Sequence, residues 1–367
     1  MWEGGEKPLP SGGSCMLGSM NLSEYVKNPF TKECEFDLDT FAQDVKDVVV
    51  YMNEVLDEGI KYLPLEEQRE SVEKYRQLGI GVMGLADMFI KMGVIYGEEE
   101  SLELIRKIFK VMANSALQQS ALLAKEYGTY KAYDREAVLS SPYLNFVATK
   151  DTLDLIKKYG LRNAELLSIA PTGSISTMLG VSGGCEPIFQ ISYIRKSESL
   201  GENGEEVYYK VYTPIVREYM TKFNIKDEKD LPEYFVTALD LDYRKRIDVQ
   251  AELQKYVDSA ISSTINLPEE TTIEEIMDLY MYAWEKGLKG VTVYRNGCNR
   301  SGILIANKKN KTKTIQEQIE ALQEQIDNLI VQSLKENPDV CPMCGGKMIH
   351  SGGCSECQDC GYSPCSV

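Results

Sequence analysis

Ten cysteines and a single histidine are the residues whose types and spacing carry chemistry, and six of the cysteines fall within the 27 residues from Cys341 to Val367. Cys341-Pro-Met-Cys344 and Cys357-Gln-Asp-Cys360 are two C-x-x-C knuckles separated by twelve residues, each followed by a glycine, Gly345 and Gly361. Glycine at that point lets the chain turn tightly, so that backbone amides face the thiolates. Four thiolates at this spacing suit tetrahedral Zn²⁺, and so short a segment has too little apolar core to fold without the ion. Cys354 also makes a C-x-x-C with Cys357, which leaves two ligand registers open. With Cys341, Cys344, Cys357 and Cys360 on the metal, Cys354 and Cys365 are spare. A spare pair near the C-terminus reads either as a dithiol that carries electrons or as two exposed thiols.

Outside this ribbon the chemistry is sparser. The one histidine, His350, lies inside the ribbon, so a Ser-His-Asp triad in the preceding residues and a histidine-rich metal centre are both excluded. The stretch Ile169–Ser176 (IAPTGSIS) follows an apolar run and is rich in glycine and hydroxyls. Such a loop turns several amides and hydroxyls onto a phosphate, above all if a helix begins beyond it. Cys15 sits among small residues in Ser14–Leu22 (SCMLGSMNL), where a partner can approach closely.

These residues need a scaffold, and the composition supplies one. Of 367 residues 43% are apolar, enough for a sizeable core. No run reaches the ~18 apolar residues of a membrane span, and the N-terminus has neither the basic region nor the apolar run of a secretory leader. A cytoplasmic protein without a membrane partner is expected. The net charge of −16 argues against a nucleic-acid polymer as partner, because affinity for phosphate backbones comes from Lys and Arg. The lysine-rich 307–313 reads as a solvated linker.

Apolar residues recur at helical spacing over 37–61, over 67–92 with a glycine-rich interruption, and over 100–127, which ends at Gly128. Further helices are expected at 151–159, 248–263 and 273–287. Short β-type runs appear at 165–170, 189–194, 207–212 and 291–294. Long helices alternating with short apolar strands predict an α/β fold. Ile315, Ile319, Leu322, Ile326 and Leu329 step by 4, 3, 4 and 3, an apolar seam about two heptads long. The chain therefore divides into 1–305, a linker and amphipathic helix over 306–338, and the zinc-ribbon tail over 339–367.

Several segments in order resemble one family. They are Gly5–Leu9 (GEKPL), Gly13–Leu22 (GSCMLGSMNL), Arg76–Ala86 (RQLGIGVMGLA), Ala170–Ser176 (APTGSIS), Gly183–Pro187 (GGCEP), Thr264–Pro268 (TINLP) and Lys289–Arg295 (KGVTVYR). Together with the six-cysteine tail they resemble the C-terminal half of the catalytic subunit of class II, adenosylcobalamin-dependent ribonucleotide reductases. The resemblance implies the C-terminal half of a ten-stranded α/β barrel and reduction of ribonucleotides, expected to be diphosphates, by thiyl-radical chemistry. It also implies adenosylcobalamin as cofactor. Cys15 matches the cysteine that, with a partner earlier in the full-length chain, gives two electrons to the substrate and becomes a disulfide. Glu6 matches the general base on the ribose 3′-hydroxyl. Pro171, Thr172, Gly173, Ser174, Ile175 and Ser176 match the loop that holds the substrate phosphates. Cys354 and Cys365 would re-reduce the disulfide and be recharged by a thioredoxin-like reductant.

One departure bears on activity. The family carries Asn-Pro-Cys-Gly-Glu, with the radical cysteine two residues before the catalytic glutamate; here the stretch reads Trp2-Glu3-Gly4-Gly5-Glu6. Gly4 stands in the radical cysteine's place and has no side chain to form a thiyl. The expectation is a reductase fragment that needs the N-terminal half as partner and is inactive alone. The alternatives are an inactive truncated remnant, and a zinc-ribbon binding module on an α/β scaffold.

Overall fold

A computed structural model describes residues 5–14, 16–197, 207–297, 339–341, 343–351, 354–360 and 362–363. The chain divides into two compact units, 1–306 and 307–367.

The spine of the larger unit is a row of parallel extended segments in chain order. Leu17–Asn21 pairs in parallel with Gly79–Met83, Leu17 opposite Gly79 and Asn21 opposite Met83. Gly79–Met83 is buried along its whole length, as a strand covered on both faces must be. Its other edge meets residues 165–169: Ile80 N–H donates to the Leu166 carbonyl at 2.8 Å, and Ser168 N–H donates to the Ile80 carbonyl at 3.1 Å. The next neighbour is 259–263, where Ser262 N–H donates to Ile169 O at 2.8 Å. That segment continues into Thr264–Leu267, which runs parallel to Thr292–Arg295.

Helices fill every crossover, as parallel pairing requires. Leu38–Ile60 buries Phe41, Val45, Val49, Met52 and Leu56 at steps of 4, 4, 3 and 4. It starts where the Asp37 carboxylate accepts from Thr40 N–H. Against it lies Glu99–Tyr127, which buries Ile105, Ile108, Phe109 and Met112 and stops at Gly128, whose φ of 81° suits glycine. Lys150–Tyr159 packs on the same long helix. Ile273–Glu285, between the last two strands, opens on a capping box in which Thr272 and Glu275 bond reciprocally.

Three elements differ from the sequence expectation. The glycine-rich interruption within 67–92 is the strand Gly79–Met83, between helices Glu66–Tyr75 and Leu85–Met92. Its glycines allow close approach between strands: a Cβ on Gly81 would lie 2.4 Å from the Ser168 carbonyl oxygen. The helix expected over 248–263 is Tyr243–Gln254. Beyond it Asp258 accepts the amides of Leu166 and Leu167, both at 2.8 Å, and ties 259–263 into the parallel row instead. The strand expected over 189–194 is Ser192–Ser197, antiparallel to Val207–Tyr212.

The smaller unit has a hairpin, Met348–Ser351 antiparallel to Cys354–Cys357, over a core of Cys341, Met348 and Cys357 with Tyr362 packed on it. The lysine-rich 307–313 and the apolar seam 315–329 lie outside the described residues.

Candidate functional site

In the ribbon the two knuckles converge. The sulfurs of Cys341, Cys344, Cys357 and Cys360 all lie within 4.8 Å of one another. Cys341 Sγ and Cys360 Sγ are 3.7 Å apart, and Cys344 Sγ and Cys357 Sγ are 3.5 Å apart. A tetrahedral ion with metal–sulfur bonds of about 2.3 Å needs sulfur–sulfur separations of about 3.8 Å, so the donor set fits such an ion. Local turns build the first knuckle: Gly345, at φ 76°, donates its N–H to the Cys341 carbonyl at 2.9 Å. The Met343 amide points at Cys341 Sγ from 3.4 Å. Burial opposes ionisation of the Cys341 thiol, but the amides of Met343 and Cys344 and the neighbouring thiols outweigh it and bring it down to about 7. Against the amide of Gly346, the neighbouring thiols push Cys344 the other way, up to about 12, and Cys360 is raised as well, so the cluster still holds protons that a bound metal ion would have to displace. The backbone of Cys354 pairs with Ser351 in the hairpin; its thiol and the whole of Cys365 lie outside the described residues.

In the larger unit the segment Glu165–Ala170 leads into the Pro171–Ser176 loop, and the loop turns directly into the helix Gly173–Leu179. Thr172 is the pivot. Its φ of 56° is left-handed, a conformation that costs a β-branched residue roughly 1–2 kcal/mol. A hydrogen bond from Gly184 N–H to Thr172 Oγ1 at 2.8 Å, within the interior, holds it there. Gly183 belongs to the same turn, and a Cβ on it would meet the Pro171 carbonyl oxygen at 3.1 Å. Thr172 and Ser176 are buried, whereas Gly173, Ser174 and Ile175 are exposed. The first amides of a helix have no carbonyl partner within it, so this arrangement presents donors that suit phosphate oxygens.

Glu6 is tied to the strand that leads into this loop. Its carbonyl accepts from Ala260 N–H at 3.0 Å and from Ser168 Oγ at 2.6 Å. The neighbouring Lys7 is almost wholly buried and reaches Glu165 Oε2 and the Leu78 carbonyl, both at 2.8 Å. Glu6 and Pro171–Ser176 therefore share one strand as their support. Cys15 and Gly4 lie outside the described residues. Lys7 stands in the Gly5–Leu9 motif and Glu165 opens an expected strand, but sequence reasoning missed their pairing, because the two are 158 positions apart in the chain. The turn 183–187 did stand out as a motif, but nothing in its composition showed that it braces Thr172.

The comparisons with known proteins agree with this architecture. Residues 5–294 match the family model for the ribonucleotide reductase barrel domain, and the chain belongs to that family. Over 319 residues it is 31% identical to a vitamin B12-dependent ribonucleoside-diphosphate reductase of Thermoplasma acidophilum, a match covering 82% of this chain and 38% of that protein. A protein of the same description from Mycobacterium tuberculosis is 29% identical over 317 residues, covering 82% of this chain and 42% of its own length. The chain thus spans about two-fifths of these curated relatives. Among solved structures, the alpha subunit of a class Id ribonucleotide reductase from Actinobacillus ureae shares the fold, with a TM-score of 0.55 and 23% identity over 78% of this chain and 50% of that one. No helix among the described residues is long and apolar enough to cross a membrane.

Proposed function

We propose that this chain supplies the C-terminal part of a ribonucleotide reductase barrel and works with the part that precedes it in its relatives. The observation that carries this reading is the family match over 5–294, joined to a strand that supports both Glu6 and the Pro171–Ser176 loop. In this reading the loop binds the phosphates of a ribonucleoside diphosphate. Glu6 takes the proton of the ribose 3′-hydroxyl after a thiyl radical has removed the 3′-hydrogen. The 2′-hydroxyl leaves as water, and Cys15 with a cysteine of the preceding part supplies two electrons and becomes a disulfide. Cys354 and Cys365 reduce that disulfide by thiol exchange, and a thioredoxin-like protein restores them. Cys341, Cys344, Cys357 and Cys360 hold Zn²⁺ and fold the tail that carries the pair. The Thermoplasma acidophilum and Mycobacterium tuberculosis relatives are vitamin B12-dependent reductases, and adenosylcobalamin is accordingly the radical source here, with no residue of this chain assigned to it.

Gly4 has no thiol, so the chain by itself forms no deoxyribonucleotide. The test mixes it with a polypeptide covering the preceding part of a relative's barrel, ending in Asn-Pro-Cys, together with adenosylcobalamin, a dithiol and CDP. Formation of dCDP, lost in Cys15→Ser, is the expected result. Turnover by the chain alone would show that Gly4 does not stand in the radical cysteine's place. No turnover in the mixture, with both polypeptides folded, would favour the inactive remnant.

A further inference from the structure

The brace behind the phosphate loop is itself held by a buried cation. Arg246, on the helix Tyr243–Gln254, is only 4% exposed and spreads its guanidinium over four acceptors. Nη1 donates to Tyr96 Oη at 3.2 Å; Nη2 donates to Ser263 Oγ at 3.0 Å and the Thr264 carbonyl at 3.2 Å, and lies 3.3 Å from Glu186 Oε1. The same Glu186 oxygen accepts from Thr264 N–H at 2.8 Å. Tyr96 Oη in turn donates to the Cys185 carbonyl at 2.6 Å. Both arms of the guanidinium therefore end on the turn 183–187, one through the Glu186 side chain and one through Tyr96 to the Cys185 backbone. That turn supplies the Gly184 amide that keeps Thr172 left-handed.

We propose that Arg246 is a positioning residue for the Pro171–Ser176 loop, acting through Glu186, Tyr96 and the Gly183–Pro187 turn. The inference rests on the reading of that loop as the phosphate site. A buried guanidinium is costly to desolvate and is retained where its planar fork fixes several partners at once. A lysine at 246 has a single ammonium and cannot span the Tyr96 and Glu186 arms together. With the brace slack, Thr172 relaxes toward negative φ and the Gly173–Ile175 amides lose their common direction. Arg246 touches no reacting atom, so its loss weakens substrate binding more than turnover.

The test compares Arg246→Gln and Arg246→Lys with the wild type by amide hydrogen exchange on the full chain. Exchange over 172–186 is expected to quicken at least tenfold in both variants, with the helix Leu38–Ile60 unchanged. In the mixture with the preceding barrel part, KM for CDP is expected to rise about tenfold while kcat stays within about twofold. Unchanged exchange over 172–186, or a rise spread evenly over the larger unit, overturns the proposal. Should Arg246→Gln fail to fold, Glu186→Gln removes the ion pair while keeping an acceptor for Thr264, and the same local increase is expected from it. If the wild-type mixture makes no dCDP, the functional reading fails, while the exchange measurement still decides whether Arg246 braces the loop.

Discussion

The Pro171–Ser176 loop and the cysteine ribbon are both short, glycine-containing turns, yet they are held in opposite ways. The loop sits on a strand buried among parallel neighbours, and its pivot is fixed by a hydrogen bond from a turn twelve residues further along the chain. Among the described residues the ribbon's core is three side chains, two of them cysteines, with a tyrosine packed against them. Burial on that scale, about 1.5–3 kcal/mol for a full apolar side chain, does not offset the entropy of ordering some twenty residues at about 1–2 kcal/mol each. One site is thus a product of the fold, whereas the other has too little apolar core among its described residues to order itself unaided.

That contrast can be broken most forcefully at the metal. The purified chain is expected to hold about one zinc, and stripping it with a chelator or by Cys344→Ser should abolish amide protection in the hairpin Met348–Cys357. The melting of the larger unit should not move. A zinc-free chain with a protected hairpin would overturn this. Next in size, Phe109→Ala removes a fully buried ring from the long helix. It is expected to destabilise the larger unit by about 3–5 kcal/mol in denaturant titrations and to leave the zinc content unchanged. Gly81→Ala should cost less, about 1–3 kcal/mol, since its Cβ collides with the backbone at Ser168 and pushes the loop-bearing strand aside. Its signature is faster exchange over 165–176, and an unaltered exchange pattern there would mean that the strands have room to spare.

The smallest effect concerns pH. A hydrogen bond from Lys27, joined by the hydroxyl and amide of Thr40, draws the Asp37 carboxyl down to about 2 from its ordinary 3.8. A depressed folded value means that the carboxylate stabilises the fold fully above about pH 4 and ceases to as pH falls through 2. Asp37→Asn keeps a side-chain cap but not the charge. The melting temperature of the variant should fall by no more than about one degree below wild type at pH 6, because solvent screens this surface pair, and the difference should vanish as pH falls through 2, as followed by circular dichroism.

Much of this was legible in the residues. The helices at 38–60, 99–127, 150–159 and 273–285 follow from apolar spacing and from end signals such as Gly128. The four-cysteine set was legible because knuckle spacing is local, and the sulfurs do converge. Gly79–Met83 was misread for a physical reason: its alternating glycines look like a break in a helix until a neighbouring strand occupies the space that they leave. The end of the helix at Gln254 was misread because the apolar pattern runs on into a strand, and Asp258 makes the difference by capturing two amides from a distant segment.

Sequence by itself determined the alternation of helix and strand, the ligand spacing of the ribbon and the family to which residues 5–294 belong. These depend on period, turn chemistry and short motifs, all of which act between neighbours in the chain. Only the tertiary structure decided that Glu6 and the 171–176 loop hang on one strand, and that Thr172 is braced by Gly184. It also decided that Arg246, unmarked among its charged neighbours, stands behind that brace. Such links join residues 12 to 162 positions apart, and the longer ones form only once parallel strands have brought those segments side by side.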